Sequence, residues 1–354
     1  MFKIIHFTDL HLSPLNHIPQ SRTKDYHEDV RQEIEIMKQT FKDEAADATC
    51  FSGDLFHLKN QAAYSPRDLN YYQRLFADFP PMFCIPGNHD LPKSAVVNLP
   101  DSPYKTLTDL LPGVFRNLSY PFYVNIPLPF KKFTNMCVIG LPYLNVPAMK
   151  EFFKNFNPAG YGNATGDNLY VFLVHVDATP QPMAIKLWES FTYQELTDLF
   201  PDNSILLMGH IHLSFPPFQN VAKNVITSKP WSVGRVIKDY FNQTDILEHL
   251  HIPSYSVITL DEDETGFKFG MNYKPFPNFK PSSEIFDLVS LQLQLEKSQE
   301  IQKKLMDLKQ DVSEISKSSS FFISDPMVYL QGINLQKEVF DIIVEFLNKT
   351  KDKE

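Results

Sequence analysis

Five short polar motifs, each closing an apolar run that reads as a β-strand, constrain this chain more tightly than any other feature: Asp9-Leu10-His11, Gly53-Asp54, Gly87-Asn88-His89-Asp90, His175 and Gly209-His210-Ile211-His212. Strands that end together deliver the residues after them to one sheet edge, so this order predicts carboxylates, imidazoles and one amide converging from distant positions. Singly the motifs are weak, since Asp-x-His and Gly-Asp arise by chance in most proteins. With 12 Gly and 11 His in 354 residues, however, Gly-His-x-His is expected roughly 0.01 times per chain, and here it stands last in an ordered set.

Residues 2–8 read as a strand. An amphipathic helix follows near 28–44, with Val30, Ile34, Met37 and Phe41 on one face, and Ala48 to Ser52 forms the next strand. A second helix is expected over 67–79, striped by Leu69, Tyr72, Leu75, Phe76 and Phe79, before a strand from Met82 to Pro86. This βαβαβ rhythm predicts parallel strands joined by crossover helices, with ligand sites beyond the strands' carboxyl ends. Farther on, candidate strands at 122–126, 135–141, 169–174, 204–208, 224–228, 254–260 and 266–273 are separated by Pro- and Asn-rich connections. The expected fold class is α/β, an αββα two-sheet sandwich with a small C-terminal region for capping and partner binding. The pattern changes near residue 278, so 1–277 reads as the main domain, 278–333 as a capping region and 334–354 as a C-terminal helix. In that helix Leu335, Val339, Ile342 and Phe346 form a stripe behind Asn334 as N-cap. The stripe either packs on its own domain or docks a partner coiled coil.

If the segment after the first strand stays extended, Asp9 and His11 point the same way and reach one metal ion while Leu10 packs inward; His210 and His212 repeat the device around Ile211. Asp54, behind a glycine that permits a sharp turn, is the candidate carboxylate bridging two ions. Asn88 offers a neutral oxygen and His175 a further imidazole. His89 is the candidate for stabilising a transition state and protonating a leaving oxygen, with Asp90 orienting its ring and raising its pKa. Two divalent ions set against Asp9 and Asp54 leave a local excess of about +2. Such a site attracts a phosphodiester, and a water activated by the two ions can attack phosphorus in line.

These motifs resemble the set found in the calcineurin-like metallophosphoesterase superfamily, over roughly residues 1–275. The resemblance implies that Asp9, His11, Asp54 and His212 hold one ion, that Asp54, Asn88, His175 and His210 hold the other, and that His89 is the catalytic histidine. Within the superfamily the chain looks most like the SbcD-type nuclease subunit of double-strand-break repair complexes. Gly53-Asp54-Leu55-Phe56-His57 resembles that family's second motif, and Ser21-Arg22 before a helix stands where its members carry an Arg-containing loop. Ile226 to Arg235 and His251-Ile252-Pro253 resemble its closing hairpin, and Phe286 to Glu314 takes the place of its capping domain. The chain departs from the pattern at Lys229-Pro230-Trp231-Ser232-Val233-Gly234-Arg235, where many members have a Pro-Gly-Ser turn, and its capping region is short. The resemblance implies a DNA exo- and endonuclease with two divalent ions, Mn²⁺ first and Fe²⁺ or Zn²⁺ as alternatives. It also implies His57 as a substrate-binding residue that orients duplex ends, an SbcC-type SMC-like ATPase as partner on the last helix, and a homodimer. Read without the family, His57 is a polar loop residue. A small-substrate phosphodiesterase or phosphatase of the same fold is the alternative function, and a non-catalytic scaffold a third. A protein phosphatase is disfavoured, because Gly-Asp continues Leu-Phe-His rather than Asp-Arg-Gly.

A formal charge of -9 argues against a protein that coats nucleic acid through its overall field, since nonspecific affinity comes from Lys and Arg opposing phosphates. Two windows without acids flank the motifs. Arg116, Lys131, Lys132 and Lys150 occupy the first, between 110 and 150; Lys223, Lys229, Arg235 and Lys238 occupy the second, between 203 and 238. They are either a phosphate-tracking face or scattered loop cations. Three cysteines, Cys50, Cys84 and Cys137, lie in or beside apolar runs, as buried free thiols do. With no apolar run of membrane-spanning length and the first motif already reached at Asp9, a cytoplasmic protein without a membrane partner is expected.

Overall fold

Odd and even positions of the same strand face different cores. Ile4 belongs to one apolar cluster, while Ile5 and Phe7 belong to another. A strand buried on both faces in this way must lie between two layers. The computed structural model describes residues 1–276 apart from 20–21, 59–60, 120–121, 158–159, 162–167, 180–189, 211–217, 220–222, 228–253 and 265. The chain divides into two units, Met1–Asp287 and Leu288–Glu354, and every described residue belongs to the first. The expected capping region and C-terminal helix lie outside the described residues.

The elements run in the order β1 (Phe2–Phe7), α1 (Tyr26–Glu44), β2 (Ala48–Phe51), α2 (Pro66–Phe76), β3 (Met82–Cys84), α3 (Pro103–Leu110), β4 (Phe115–Asn117), β5 (Phe122–Pro127), β6 (Asn135–Leu141), α4 (Val146–Asn155), β7 (Asn168–His175), β8 (Ala178–Thr179), β9 (Phe191–Thr192), α5 (Tyr193–Leu199), β10 (Ser204–Gly209), β11 (Phe218–Gln219), β12 (Lys223–Thr227), β13 (Ser254–Asp263) and β14 (Gly266–Pro275). Two six-stranded sheets result, ordered β14-β13-β1-β2-β3-β4 and β11-β12-β10-β7-β6-β5, beside a small β8-β9 pair. In the first sheet β1 through β4 are parallel, and β13 closes antiparallel onto β1. In the second, β12, β10, β7 and β6 are parallel and β5 is antiparallel.

The sheets face each other across Ile4, Cys50, Phe83, Val138, Val171, Leu173, Ile205 and Leu207. The outer face of the first sheet packs Ile5, Phe7, Phe51 and Cys84 against Val30, Ile34 and Met37 of α1 and Tyr72 and Phe76 of α2. The outer face of the second packs Cys137, Ile139, Phe172, Val174 and Leu206 against Met149 of α4 and Leu196 of α5. This is the αββα sandwich expected from the motif order, with parallel strands buried on both faces. Among the described residues no helix is long and apolar enough to cross a membrane.

Three helices were not expected from the pattern: α3, α4 and α5 are only 8, 10 and 7 residues long. Too short to show a clear apolar stripe, they are set by their caps. Ser102 Oγ accepts from Lys105 N at 3.0 Å, Asn145 Oδ1 from Ala148 N at 2.9 Å, and Thr192 with Glu195 makes a full capping box. Strand β4, three residues long, is likewise too short to carry a periodic signal.

Candidate metal centre

The chain leaves β1, β2, β3, β7 and β10 at the same edge, and the motifs follow at once. The first of them does not stay extended. Asp9 and His11 both adopt left-handed backbone, at φ 58° and 50°, as do Asp54 at 58° and His210 at 96°. Extended alternation therefore does not align Asp9 with His11. A ladder to the second motif does: Asp9 N donates to Gly53 O at 2.9 Å, His11 N to Asp54 O at 3.0 Å and Leu12 N to Leu55 O at 2.9 Å. Backbone of this kind costs an L-residue about 1–2 kcal/mol per position and persists where its surroundings over-determine it. Leu10 is buried in the outer core, as expected.

Two glycines of the second and third motifs leave no room for a side chain. Gly53 turns at φ 97°, and a Cβ on it would lie 2.7 Å from His175 Nδ1. A Cβ on Gly87 would lie 2.2 Å from Asp54 Oδ1.

Asp54 stands at the middle. Its Oδ2 lies 3.6 Å from His11 Nε2 and 3.4 Å from His175 Nε2, whereas its Oδ1 accepts the His89 backbone N–H at 2.7 Å. One oxygen thus faces both neighbours, and the other holds the third motif in place. Two groups of donor atoms share this carboxylate: Asp9, His11 and Asp54 on one side, and Asp54, His175 and His210 on the other, each within 4.8 Å of one another. Asn88 Oδ1 joins the second group, 3.1 Å from His175 Nε2 and 3.0 Å from His210 Nδ1. The two imidazole nitrogens stand 3.2 Å apart.

Each imidazole of the second group is oriented by an oxygen behind it. His175 donates Nδ1–H to Ser52 O at 2.7 Å, which leaves Nε2 to face Asp54. Ser52 Oγ in turn donates to Leu207 O at 2.7 Å and accepts from the buried His6 Nε2 at 2.9 Å. His210 Nε2 pairs with Asp177 Oδ1 at 2.9 Å, turning Nδ1 towards Asn88. Asp177 and Ser52 were not singled out in the sequence. A carboxylate two residues after His175, and a hydroxyl just before Gly53-Asp54, were the available signals, because ligating imidazoles are routinely fixed by such partners.

The electrostatics suit a cation. Burial opposes charge on His175, yet Asp54 and Asp9 push its pKa up to about 9. Burial would raise the Asp54 carboxyl, but the His175, His89 and His11 rings hold it well below the usual carboxylate range. A potential that draws a proton onto a fully buried imidazole draws a divalent ion as well, and metal binding displaces that proton. The donor set of carboxylate, imidazole and amide oxygen fits two divalent ions sharing Asp54, with Asp9, His11, Asn88, His175 and His210 as the remaining ligands. His212 and Ile211 lie outside the described residues.

The structure corrects the role expected of Asp90. Its carboxylate accepts from Leu55 N at 3.0 Å, Phe56 N at 2.8 Å and Gly87 N at 2.9 Å, tying the second motif to the third rather than orienting His89. Burial, and then the charge of Asp54, raise its pKa to about 7. The His89 ring is aligned instead by His57, whose carbonyl accepts from His89 Nδ1–H at 2.6 Å. The His57 ring lies nearly parallel to that of His89, centroids 6.0 Å apart at 10°. Arg22 does precede α1, but its guanidinium is buried in an ion pair with Asp29 at 3.0 Å. It is an internal strut, not an exposed phosphate contact. In the first acid-free window Arg116 lies over the Phe83 ring, Lys132 over Phe133 and Lys150 over Phe191, on β4, the β5–β6 connection and α4.

An αββα sandwich whose strand ends gather two aspartates, three imidazoles and an amide around one shared carboxylate defines a metal-dependent phosphoesterase, a hydrolase with a candidate dinuclear metal site. The chain belongs to the calcineurin-like phosphoesterase family, whose profile matches residues 2–265. No curated protein sequence matches it. Among solved structures it is similar to the 5'-nucleotidase precursor of Thermus thermophilus, at 14% identity and a TM-score of 0.41, covering 85% of this chain and 59% of that one. It is also similar to the NAD nucleotidase of Haemophilus influenzae, at 9% identity and a TM-score of 0.42, covering 78% and 56% respectively. The chain spans less than two thirds of the length of either structure.

Proposed function

We propose that this phosphoesterase is a DNA nuclease, an exo- and endonuclease of the SbcD type acting in an end-processing complex with an SbcC-type ATPase, most active with Mn²⁺. The observation that carries the reading is His57, the fifth residue of Gly53-Asp54-Leu55-Phe56-His57, set against the catalytic candidate His89 rather than turned away as a loop residue. Bound divalent ions supply positive charge to the phosphoryl oxygens and acidify a water nucleophile.

The protein's own residues do the rest. Asp54, Asp9, His11, Asn88, His175 and His210 form the cradle, and Ser52 O and Asp177 fix which imidazole nitrogen faces it. His89, committed through Nδ1 to His57 O, keeps Nε2 to hold the proton that the departing oxygen needs. Asp90 holds the backbone that carries both motifs. In this reading His57, beside His89, orients a duplex end.

The test is cleavage of labelled duplex, hairpin and single-stranded DNA with Mn²⁺, beside nucleotides and a generic aryl phosphodiester. DNA cleavage that is lost without metal is expected. Hydrolysis of the small substrates alone would favour the second reading, a small-substrate phosphodiesterase or phosphatase, which the scattered placement of Arg116, Lys132 and Lys150 supports. The ATPase partner, the homodimer and a cytoplasmic setting belong to the same proposal. Deleting 334–354 should abolish co-purification with the ATPase while Mn²⁺-dependent hydrolysis continues, and unchanged co-purification would refute that docking site.

A further inference from the structure

A third cluster of potential ligands lies beside the two that share Asp54. One ring nitrogen from each of His11, His57 and His89 falls within 4.8 Å of the others, and this group has no carboxylate. We propose that these three imidazoles form a zinc-selective seat in which Zn²⁺ is inhibitory, because it occupies the ring that the reaction needs.

The cluster is assembled by the backbone, not by chance contact of mobile side chains. His57 N donates to Leu12 O at 2.9 Å and lies 3.0 Å from Tyr64 Oη, which itself donates to Leu12 O at 2.7 Å. His11 N is held by Asp54 O, and His89 N by Asp54 Oδ1. The rings keep a defined mutual geometry. His57 and His89 are nearly parallel, while His11 crosses them at 81° and 89°, with centroids 5.7 and 4.9 Å away. A further imidazole, His17, stacks on His57 at 6.0 Å. His11 is buried and the other two are half-buried, so the corner they form opens on the side of His57 and His89.

Donor chemistry separates this group from its neighbours. Carboxylate-bearing groups suit Mn²⁺, whereas three imidazoles with one position left for water match the four-coordinate preference of Zn²⁺. In a neutral His89 ring, donation from Nδ1 to His57 O leaves the lone pair on Nε2. A zinc ion held by the His89 ring would remove the proton carrier. His11 belongs to two groups, so zinc held by the three histidines also competes for a ligand of the Asp9 and Asp54 group. This inference goes beyond the nuclease reading and does not need it.

The metal-free full chain, wild type and His57→Gln, is titrated calorimetrically with Zn²⁺ and separately with Mn²⁺. One class of Zn²⁺ sites should weaken more than about tenfold in His57→Gln, the scale on which even an outer partner of a metal ligand acts, while Mn²⁺ binding stays as in the wild type. With Mn²⁺ and an aryl phosphodiester, the Zn²⁺ concentration that halves each protein's own rate should rise by a similar factor. Equal Zn²⁺ affinities in the two proteins, or Mn²⁺ binding weakened in step with Zn²⁺, would overturn the proposal. On the unmutated chain, NMR of the His57 ring nitrogens gives an independent reading. Resonances that shift with Zn²⁺ support the seat, and resonances that do not move exclude it. A chain that cleaves no DNA would leave all these binding readouts intact.

Discussion

The two sheets bring unlike chemistry to their common edge. The first sheet supplies the two carboxylates of the donor groups, Asp9 and Asp54, from left-handed turns laced together by main-chain hydrogen bonds. Among the described residues the second supplies the imidazoles His175 and His210, each aligned by an oxygen behind it. The first side therefore sets how much cationic charge the cradle attracts, and the second adds two imidazoles to the His11 ring of the first, shifting the donor set towards nitrogen and with it the metal preference. Charge is buried where the backbone is most constrained, and orientation is adjusted where side chains do the work.

Removing the charge common to both sides breaks this division most severely. Asp54→Asn should lose metal from both groups and cut hydrolysis by on the order of a thousandfold or more, the scale of deleting a main electrostatic contributor. Elemental analysis beside the activity assay decides this, and a variant that keeps its full metal content would show that the carboxylate is not shared. His89→Ala acts outside both groups that share Asp54. Turnover should fall by about 10²–10⁴ with the metal content unchanged, and normal turnover would remove His89 from the chemistry.

Gly209→Ala sharpens the contrast, because its Cβ would lie 2.1 Å from Thr8 Oγ1 and 2.4 Å from Ser52 O, wedging the end of β10 away from the first sheet. A loss of about 1–3 kcal/mol in denaturant melts is expected. The Asp54, His175 and His210 group should give up its ion before the Asp9, His11 and Asp54 group. Simultaneous loss would mean that the halves are not separable.

His6, between the sheets, gives an effect that is absent at neutral pH and grows only in acid. Burial lowers its pKa from 6.5 to about 3, with Asp9 only partly offsetting that. The unfolded chain then binds an extra proton between those values. The residue's contribution is intact above the unfolded pKa and falls by about 1.4 kcal/mol per pH unit as acid is added. His6→Gln should flatten that part of the stability profile, and an unchanged slope would contradict a neutral buried ring.

Much of this arrangement was legible in the sequence because it rests on strand periodicity and on residues immediately following strands. The parallel β1-β2-β3 core, the helices above it and the convergence of Asp9, Asp54, Asn88, His175 and His210 all follow from that register. Elsewhere a longer-range bond decides the outcome against the local pattern. Extended geometry was expected for Asp9 to His11, but pairing with Gly53 to Leu55 imposed left-handed turns. Asp90 adjoins His89 in sequence, yet three backbone N–H groups claim its oxygens, and the His89 ring finds its partner in the His57 carbonyl, 32 residues away. Asp177 and Ser52 stayed hidden because their importance depends on which way a neighbouring imidazole turns, which no single-chain pattern encodes. The short helices α3 to α5 were marked only by their caps.

Ser52 gives the architecture a mechanical consequence. Its carbonyl selects the working nitrogen of His175, and its hydroxyl rivets β2 to Leu207 in the opposite sheet. The seam that keeps the sandwich shut is thus also the tuning peg of the ion cradle. Any motion that parts the layers at this edge would detune the imidazole first, so the protein cannot breathe here and remain primed.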